Sequence, residues 1–199
     1  LMRQCSIVAA AKAFSPDPSC VFPIVVRLAK LKLAGFKTFV DPTTVLTPGN
    51  LVVLRVGDGA AALANSAAPG FLDEYTPAGV LVQSIPLPTA DSGANQTCTL
   101  RGSTPIDGQL TRSTDGRFLI GGCYDMPLGT ASPEGTAVAT FPRVFFRVNS
   151  AGVVDTTTFV NNQFNTAAVR SVASLDGGSF WAVGSATGCE GGYPGLFDL

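Results

Sequence analysis

The sequence contains no histidine. That removes the commonest general base, the commonest metal ligand and every Ser–His or Cys–His nucleophile pair, so any chemistry would fall to carboxylates, lysine, tyrosine or cysteine. Charge is scarce as well: 14% of residues are Asp, Glu, Lys or Arg, and the formal net charge is -1. Residues 46–199 carry no basic stripe with interleaved aromatics, which sets nucleic acid aside as a partner. Long apolar runs are missing. Ser6 to Phe14 is too short to span a bilayer, and Val21 to Leu33 is broken by Arg27 and Lys30, so no membrane span is expected. There is no C-x-x-C pair for zinc, no G-x-x-x-x-G-K loop and no G-x-G-x-x-G turn for nucleotides. Asp58, Asp73 and Glu74 invite a calcium reading, but no D-x-D-x-D-G series accompanies them, and Gly57-Asp58-Gly59 serves a tight turn equally well. These residues therefore nominate no catalytic, cofactor-binding or metal site, and no cofactor.

What is present is β-sheet texture. The chain is 46% hydrophobic with 22 Gly and 14 Pro, enough apolar surface for a core and enough turn residues to keep its elements short. From Thr47 onward, short β-branched and aromatic runs alternate with Gly, Pro, Asp and Asn. The predicted strands are Leu51 to Val56, Phe71 to Tyr75, Val80 to Ile85, Leu110 to Ser113, Phe118 to Gly122, Val144 to Val148, Val153 to Phe159, Val169 to Ala173 and Phe180 to Val183. Two-residue turn signals, Asp115-Gly116 and Ala151-Gly152, join two pairs of them, and Pro77 to Gly79 joins a third.

Those strands recur in two registers. Thr47 to Val53 aligns with Thr114 to Ile120 and with Leu175 to Trp181, while Phe71 to Val80 aligns with Val144 to Val153. A recurrence at roughly 60 to 70 residues separates a propeller or solenoid from a single sandwich. The expectation is an all-β fold: a partial β-propeller of four-stranded antiparallel blades, about two and a half of them over residues 46–199. The excess length falls in Ala60 to Gly70, Thr89 to Pro105 and Met126 to Thr140, which read as long loops. Residues 1–45 differ, with Arg3, Lys12, Arg27, Lys30, Lys32 and Lys37 against Asp17 and Asp41. They read as a basic N-terminal leader or extension, helical or disordered.

The strings Thr47 to Gly59, Phe71 to Gly79 and Leu110 to Gly116 resemble an uncharacterised group of secreted, mainly bacterial proteins with propeller-like repeats. The likeness runs from about Thr47 to Gly188 and omits residues 1–45. It implies an exported propeller, of which this chain is a fragment whose remaining blades would follow, and it transfers no site residue.

Five cysteines, Cys5, Cys20, Cys98, Cys123 and Cys189, leave at least one unpaired. The hairpin around Asp115-Gly116 carries Cys123 back toward the loop holding Cys98, so Cys98 and Cys123 are the candidate disulfide, with Cys5–Cys20 as the competing pair and Cys189 left over. Asn95-Gln96-Thr97 is an N-glycosylation acceptor if the source is eukaryotic. Tyr75, Phe118, Phe145, Phe146, Phe180 and Trp181 suit either core packing between blades or stacking on sugars at a propeller mouth. The functional expectation is a non-enzymatic extracellular or cell-surface recognition domain that binds protein or glycan through its loops. The alternative is a fragment of a propeller hydrolase or lactonase-like enzyme with its catalytic residues in other blades.

Overall fold

The computed structural model describes residues 46–47, 49–104 and 107–185, together with the backbone of 195–197. The basic segment 1–45, with Cys5 and Cys20, and also Cys189, lies outside the described residues. The described part is all-β and its named strand pairs are antiparallel: β1 (Leu51–Val56), β2 (Ala67–Tyr75), β3 (Leu81–Pro86), β4 (Thr99–Arg101), β5 (Thr111–Arg112), β6 (Phe118–Tyr124), β7 (Arg143–Asn149), β8 (Val154–Val160), β9 (Val169–Ser174), β10 (Phe180–Gly184) and β11 (Gly195–Phe197). A 3-10 turn at Pro133–Gly135 is the helical element among the described residues.

The strands form three antiparallel meanders: β1-β2-β3, β5-β6-β7-β8 and β9-β10-β11. The short joints within a meander are turns that the sequence marks. In the β5–β6 turn, Asp115 accepts from the Ser113 hydroxyl, the Arg117 backbone and the Arg117 guanidinium, and those donors hold its carboxyl down to about 2. In the β7–β8 turn, Asn149 Oδ1 accepts from the backbone N–H groups of Ala151 and Val153.

The meanders pack face to face through alternating side chains. One face of β6 and β7, with Leu119, Cys123, Val144, Phe146 and Val148, meets Val52, Leu54, Val56, Leu72 and Ile85 of the first meander. The opposite face, with Ile120 and Phe145, meets Val169, Val172, Phe180 and Ala182 of the third. Alternation puts both faces of one sheet to use, and each fully buried side chain of this size contributes about 1.5–3 kcal/mol. Gly121 and Gly122 make the close approach possible. A Cβ at Gly121 would lie 2.4 Å from Phe146 Cζ, and one at Gly122 would lie 2.7 Å from Val169 Cγ1.

Three sequence expectations need correction. First, Thr89 to Pro105 is not loop throughout, because it contains β4, a buried three-residue strand that pairs with the start of β2 and with Tyr124 at the end of β6. This strand joins the first and second meanders into one eight-stranded sheet. Its signal was too short to register against the surrounding Thr, Gly and Pro. Second, β2 begins at Ala67 rather than Phe71, since Ala67 to Pro69 pair with β4 despite low strand propensity. Third, the first repeat register slips by one. Leu51 lies opposite Tyr75 and Leu119 lies opposite Val148, so Leu119, not Phe118, takes the place of Leu51. The sequence match followed turn residues, and a one-residue slip exchanges the two faces of a strand.

Candidate functional site

Five long connections among the described residues emerge at one end. Residues 57–66, 87–98, 102–110, 125–142 and 161–168 leave or enter the sheets where β1, β3, β4, β6 and β8 finish, while the short turns near 76–80, 113–117, 150–153 and 175–179 lie at the other end. A meander with alternately long and short joints produces this asymmetry directly, because every second joint returns to the same end.

The long connections hold one another. Ser132 N–H donates to Asn65 O at 3.0 Å, Asn65 Nδ2 donates to Ser132 Oγ at 3.0 Å, and Ala67 N–H donates to Thr130 O at 2.8 Å. Thr166 N–H reaches Thr136 O at 3.3 Å, and Val138 N–H reaches Asn165 Oδ1 at 3.1 Å. Arg143, at the start of β7, has 0% exposure and gathers the carbonyls of Glu134, Thr136, Phe141 and Ala167, along with the Thr136 hydroxyl. Its guanidinium lies 5.1 Å from the Tyr124 ring centre. A buried guanidinium satisfied by carbonyl oxygens fixes the shape of the loops that supply them.

Around Arg143 lies a polar cluster. Tyr124 Oη donates to Asp107 Oδ2 at 2.9 Å, and Arg101 pairs with Glu134. Among the described residues, Asp107 Oδ1 and Glu134 Oε2 are buried without a hydrogen-bond partner. Burial pushes the Asp107 carboxyl up, against the Tyr124 hydrogen bond and with help from the charge of Glu134. Burial, followed by the Asp107 charge, pushes the Tyr124 hydroxyl strongly up, so it stays protonated and serves as a donor.

A groove of about 530 Å³ opens beside this end, on the outer face of the first meander. Arg55, Asp73, Ser84 and Tyr75 form its floor, and Gly57 to Leu63 form its wall. Arg55 Nε donates to Asp73 Oδ2 at 2.6 Å, Arg55 Nη2 donates to Ser84 Oγ at 3.1 Å, Arg55 Nη1 donates to Gly57 O, and Ser84 Oγ donates to Asp73 Oδ1. The guanidinium also covers the Phe71 ring at 4.2 Å. The Arg55 hydrogen bond holds Asp73 below the usual carboxylate range despite its burial. By strand register, Arg55 and Asp73 occupy the places of Cys123 and Phe146 in the second meander, where the same face is core. An internally satisfied ion pair suits a face that meets water. Leu63 and Leu128, each 50% exposed, are apolar tips on the loops of this end.

The structure joins Cys98 and Cys123 in a disulfide, with Cα atoms 5.2 Å apart, and both residues are buried in the first core. Asp58, Asp73 and Glu74 do not converge. Asp58 Oδ1 caps Ala60 N–H, Asp73 faces the groove, and Glu74 points to the other side of β2. There burial pushes Glu74 up, but donors from Gln83, Asn50 and the Thr47 backbone outweigh it and leave the carboxyl below its usual range. Asn95 is committed: its Oδ1 accepts from Thr156 N–H at 2.8 Å, and Thr97 of the same triplet is buried with its hydroxyl on Asp91. Of the aromatics, Phe145, Phe146 and Phe180 are core, Phe118 packs against the core, and Tyr75 and Trp181 are half-buried. Sequence reading missed Arg143, Tyr124 and Asp107. The one signal that points to Arg143 is an arginine placed directly before the apolar run Val144 to Phe146.

No protein-family model matches the chain, and no solved structure does. Over 26 residues, 13% of the chain, it is 96% identical to the chromosome partition protein Smc of Thauera aminoaromatica, and over 26 residues it is 77% identical to Smc of Methylococcus capsulatus. The chain spans 2% of the length of these relatives, which assigns it neither family nor activity.

Proposed function

We propose that this chain is a non-enzymatic recognition module of the cell exterior, an incomplete β-propeller that binds protein or glycan through its loop end. The observation that carries the reading is the gathering of the long connections at one end, where Arg143 and the Cys98–Cys123 bridge hold them in fixed shape. Preorganised loops on a β scaffold lose little entropy on binding. The apolar tips Leu63 and Leu128 and the adjoining groove offer contact surface there.

Support for blades comes from the face-to-face meanders and from the seam between the second and third. Gln109 and Ser171 form a parallel bridge, and Thr114 and Asp115 donate to Ser174 and Leu175. Neighbouring blades turned about one axis would set their inner strands side by side in this parallel sense. The continuous sheet through β4 departs from separate blades. The buried disulfide supports an oxidising, extracellular location.

The test is a screen of the purified chain against an immobilised glycan array and a panel of extracellular proteins, followed by rim variants. Binding should fall at least tenfold for Leu63→Asp with Leu128→Asp, and should survive Val153→Asp in the turn at the opposite end. A captured partner that ignores the rim changes but is lost with Val153→Asp would refute the loop-end assignment, and capture of neither ligand class would refute the reading itself.

A further inference from the structure

A guanidinium offers two kinds of surface, an edge lined by N–H donors and a pair of flat faces. Arg55 has spent most of the first. Its Nε donates to Asp73 Oδ2 at 2.6 Å, Nη2 donates to Asp73 Oδ1 at 3.3 Å and to Ser84 Oγ at 3.1 Å, and Nη1 donates to Gly57 O. A single Nη1 hydrogen remains, which is too few for the paired donors that grip a carboxylate or a phosphate. Asp58 and Asp73 also line the groove, so two carboxylates accompany one guanidinium there and an incoming anion is repelled. The flat faces are differently placed. Phe71 covers one of them, with its ring centre 4.2 Å from Arg55 Cζ. The groove lining takes in Arg55 and leaves out Phe71, and 38% of the Arg55 side chain is exposed, so the second face is turned to the groove. Apolar groups frame it: Leu63 and Leu81 stand 50% and 51% exposed at its border, together with the Tyr75 ring.

We propose that this groove takes an aromatic side chain of a partner protein, stacked on the open face of Arg55. The inference rests on the recognition reading above and names the ligand as protein rather than glycan. A ring presents an electron-rich face to a cation and asks for no hydrogen bonds in return. A sugar asks for several, and the groove has few to give: Ser84 and Asp73 are engaged with each other and with Arg55, and the Asp73 side chain is only 4% exposed. Hydroxyl groups placed there would lose water without finding partners. Pre-organisation favours the ring as well. Arg55 is already held in one plane by Asp73, Ser84 and Gly57 O, so stacking freezes little further motion on the protein side. The groove's volume of about 530 Å³ falls within the roughly 300–1,000 Å³ usual for ligand pockets, and its apolar border suits tryptophan or tyrosine, the residues that most often anchor protein interfaces.

Titration of the nitrogen-15-labelled intact chain with acetyl-Gly-Trp-Gly-amide, followed by nuclear magnetic resonance, tests it. So small a probe should bind with a dissociation constant of about 0.1–10 mM. The Arg55 Nε–H proton should move upfield as the indole stacks, with amide shifts confined to the groove at Gly57, Gly59 and Leu81. Acetyl-Gly-Leu-Gly-amide should bind about threefold to thirtyfold more weakly, the loss expected for a cation–π contact. Arg55→Lys keeps the charge without the flat face and should lose the same factor. Leu63→Ser, a change at an exposed wall position that leaves the fold intact, should weaken the tryptophan probe too. A tryptophan probe that leaves Arg55 Nε–H unmoved, a leucine probe that binds equally well, or a phosphotyrosine peptide or methyl glucoside that binds more tightly would each overturn the proposal. So would a protein captured through the loop end whose binding survives Arg55→Lys, a result that leaves the recognition reading standing.

Discussion

Removing the Cys98–Cys123 bridge is the most informative perturbation of this fold, because β4 depends on it. β4 has three residues and meets β6 at a single register pair, Thr99 with Tyr124. Its other ties to that end of β6 are the Thr99 hydroxyl, bonded to Tyr124 O and Met126 O, and the disulfide itself. The bridge closes a loop with a sequence separation of 25. The chain-entropy relation gives about 3.5 kcal/mol at 25 °C for a loop of that length. Cys98→Ala with Cys123→Ala removes that constraint from the unfolded chain without burying a new polar group in the first core, and the small void left by the sulfurs adds to the loss. Urea titration followed by the fluorescence of Trp181, the single tryptophan, reads the change. The variant should unfold at lower urea by the equivalent of about 3–4 kcal/mol, with amide exchange rising first at Cys98 to Gly102. A loss below about 1 kcal/mol would show that β4 holds its place without the bridge, and the covalent account of the sheet junction would fail.

Arg143→Met leaves the carbonyls of Glu134, Thr136, Phe141 and Ala167 without their donor, so stability measured by thermal unfolding should fall by about 3 kcal/mol or more, and protease cleavage within 126–141 should quicken. Gly121→Ala drives a methyl into the Phe146 ring and should cost about 1–3 kcal/mol, whereas an alanine at Gly129, with open space around it, should cost only about 1 kcal/mol for its positive φ; urea titration separates the two. Asp107 binds its proton more tightly folded than unfolded, so its contribution is present at low pH and falls as pH rises through the folded-state pKa; Asp107→Asn should raise the melting temperature at pH 7 and weaken the wild type's gain as pH falls toward the usual carboxylate range. Asp73, Glu74 and Asp155 run the other way, with folded-state values below their usual range, so stability followed by circular dichroism should drop as pH falls below about 4.

The sequence by itself determined the local elements. Leu51–Val56 announces β1 because an apolar, β-branched run bounded by Gly and Asn has no better local conformation than a strand. Asp115-Gly116 and Ala151-Gly152 mark their hairpins because glycine there adopts the positive φ that the turns require, +81° and +73°. The match of Phe71 to Val80 with Val144 to Val153 survives in the pairing registers, since it spans both strand and turn. The match anchored on turns alone slipped by one residue, because turn chemistry constrains a corner and not the facing of the strand that follows.

Only the tertiary structure decided where unlike segments meet. β4 is strand because β2 and Tyr124 of β6 lie beside it, and Thr99-Leu100-Arg101 carries too little propensity to say so alone. Arg143 looks like a surface cation in the sequence and is fully buried, because the loops from 134–141 and 167 fold over it. The Arg55–Asp73 pair joins residues on two strands that register brings side by side. Backbone propensity acts within a few residues, whereas burial of a charge depends on chain segments that approach through loops of no fixed length, and a single sequence carries no record of that approach.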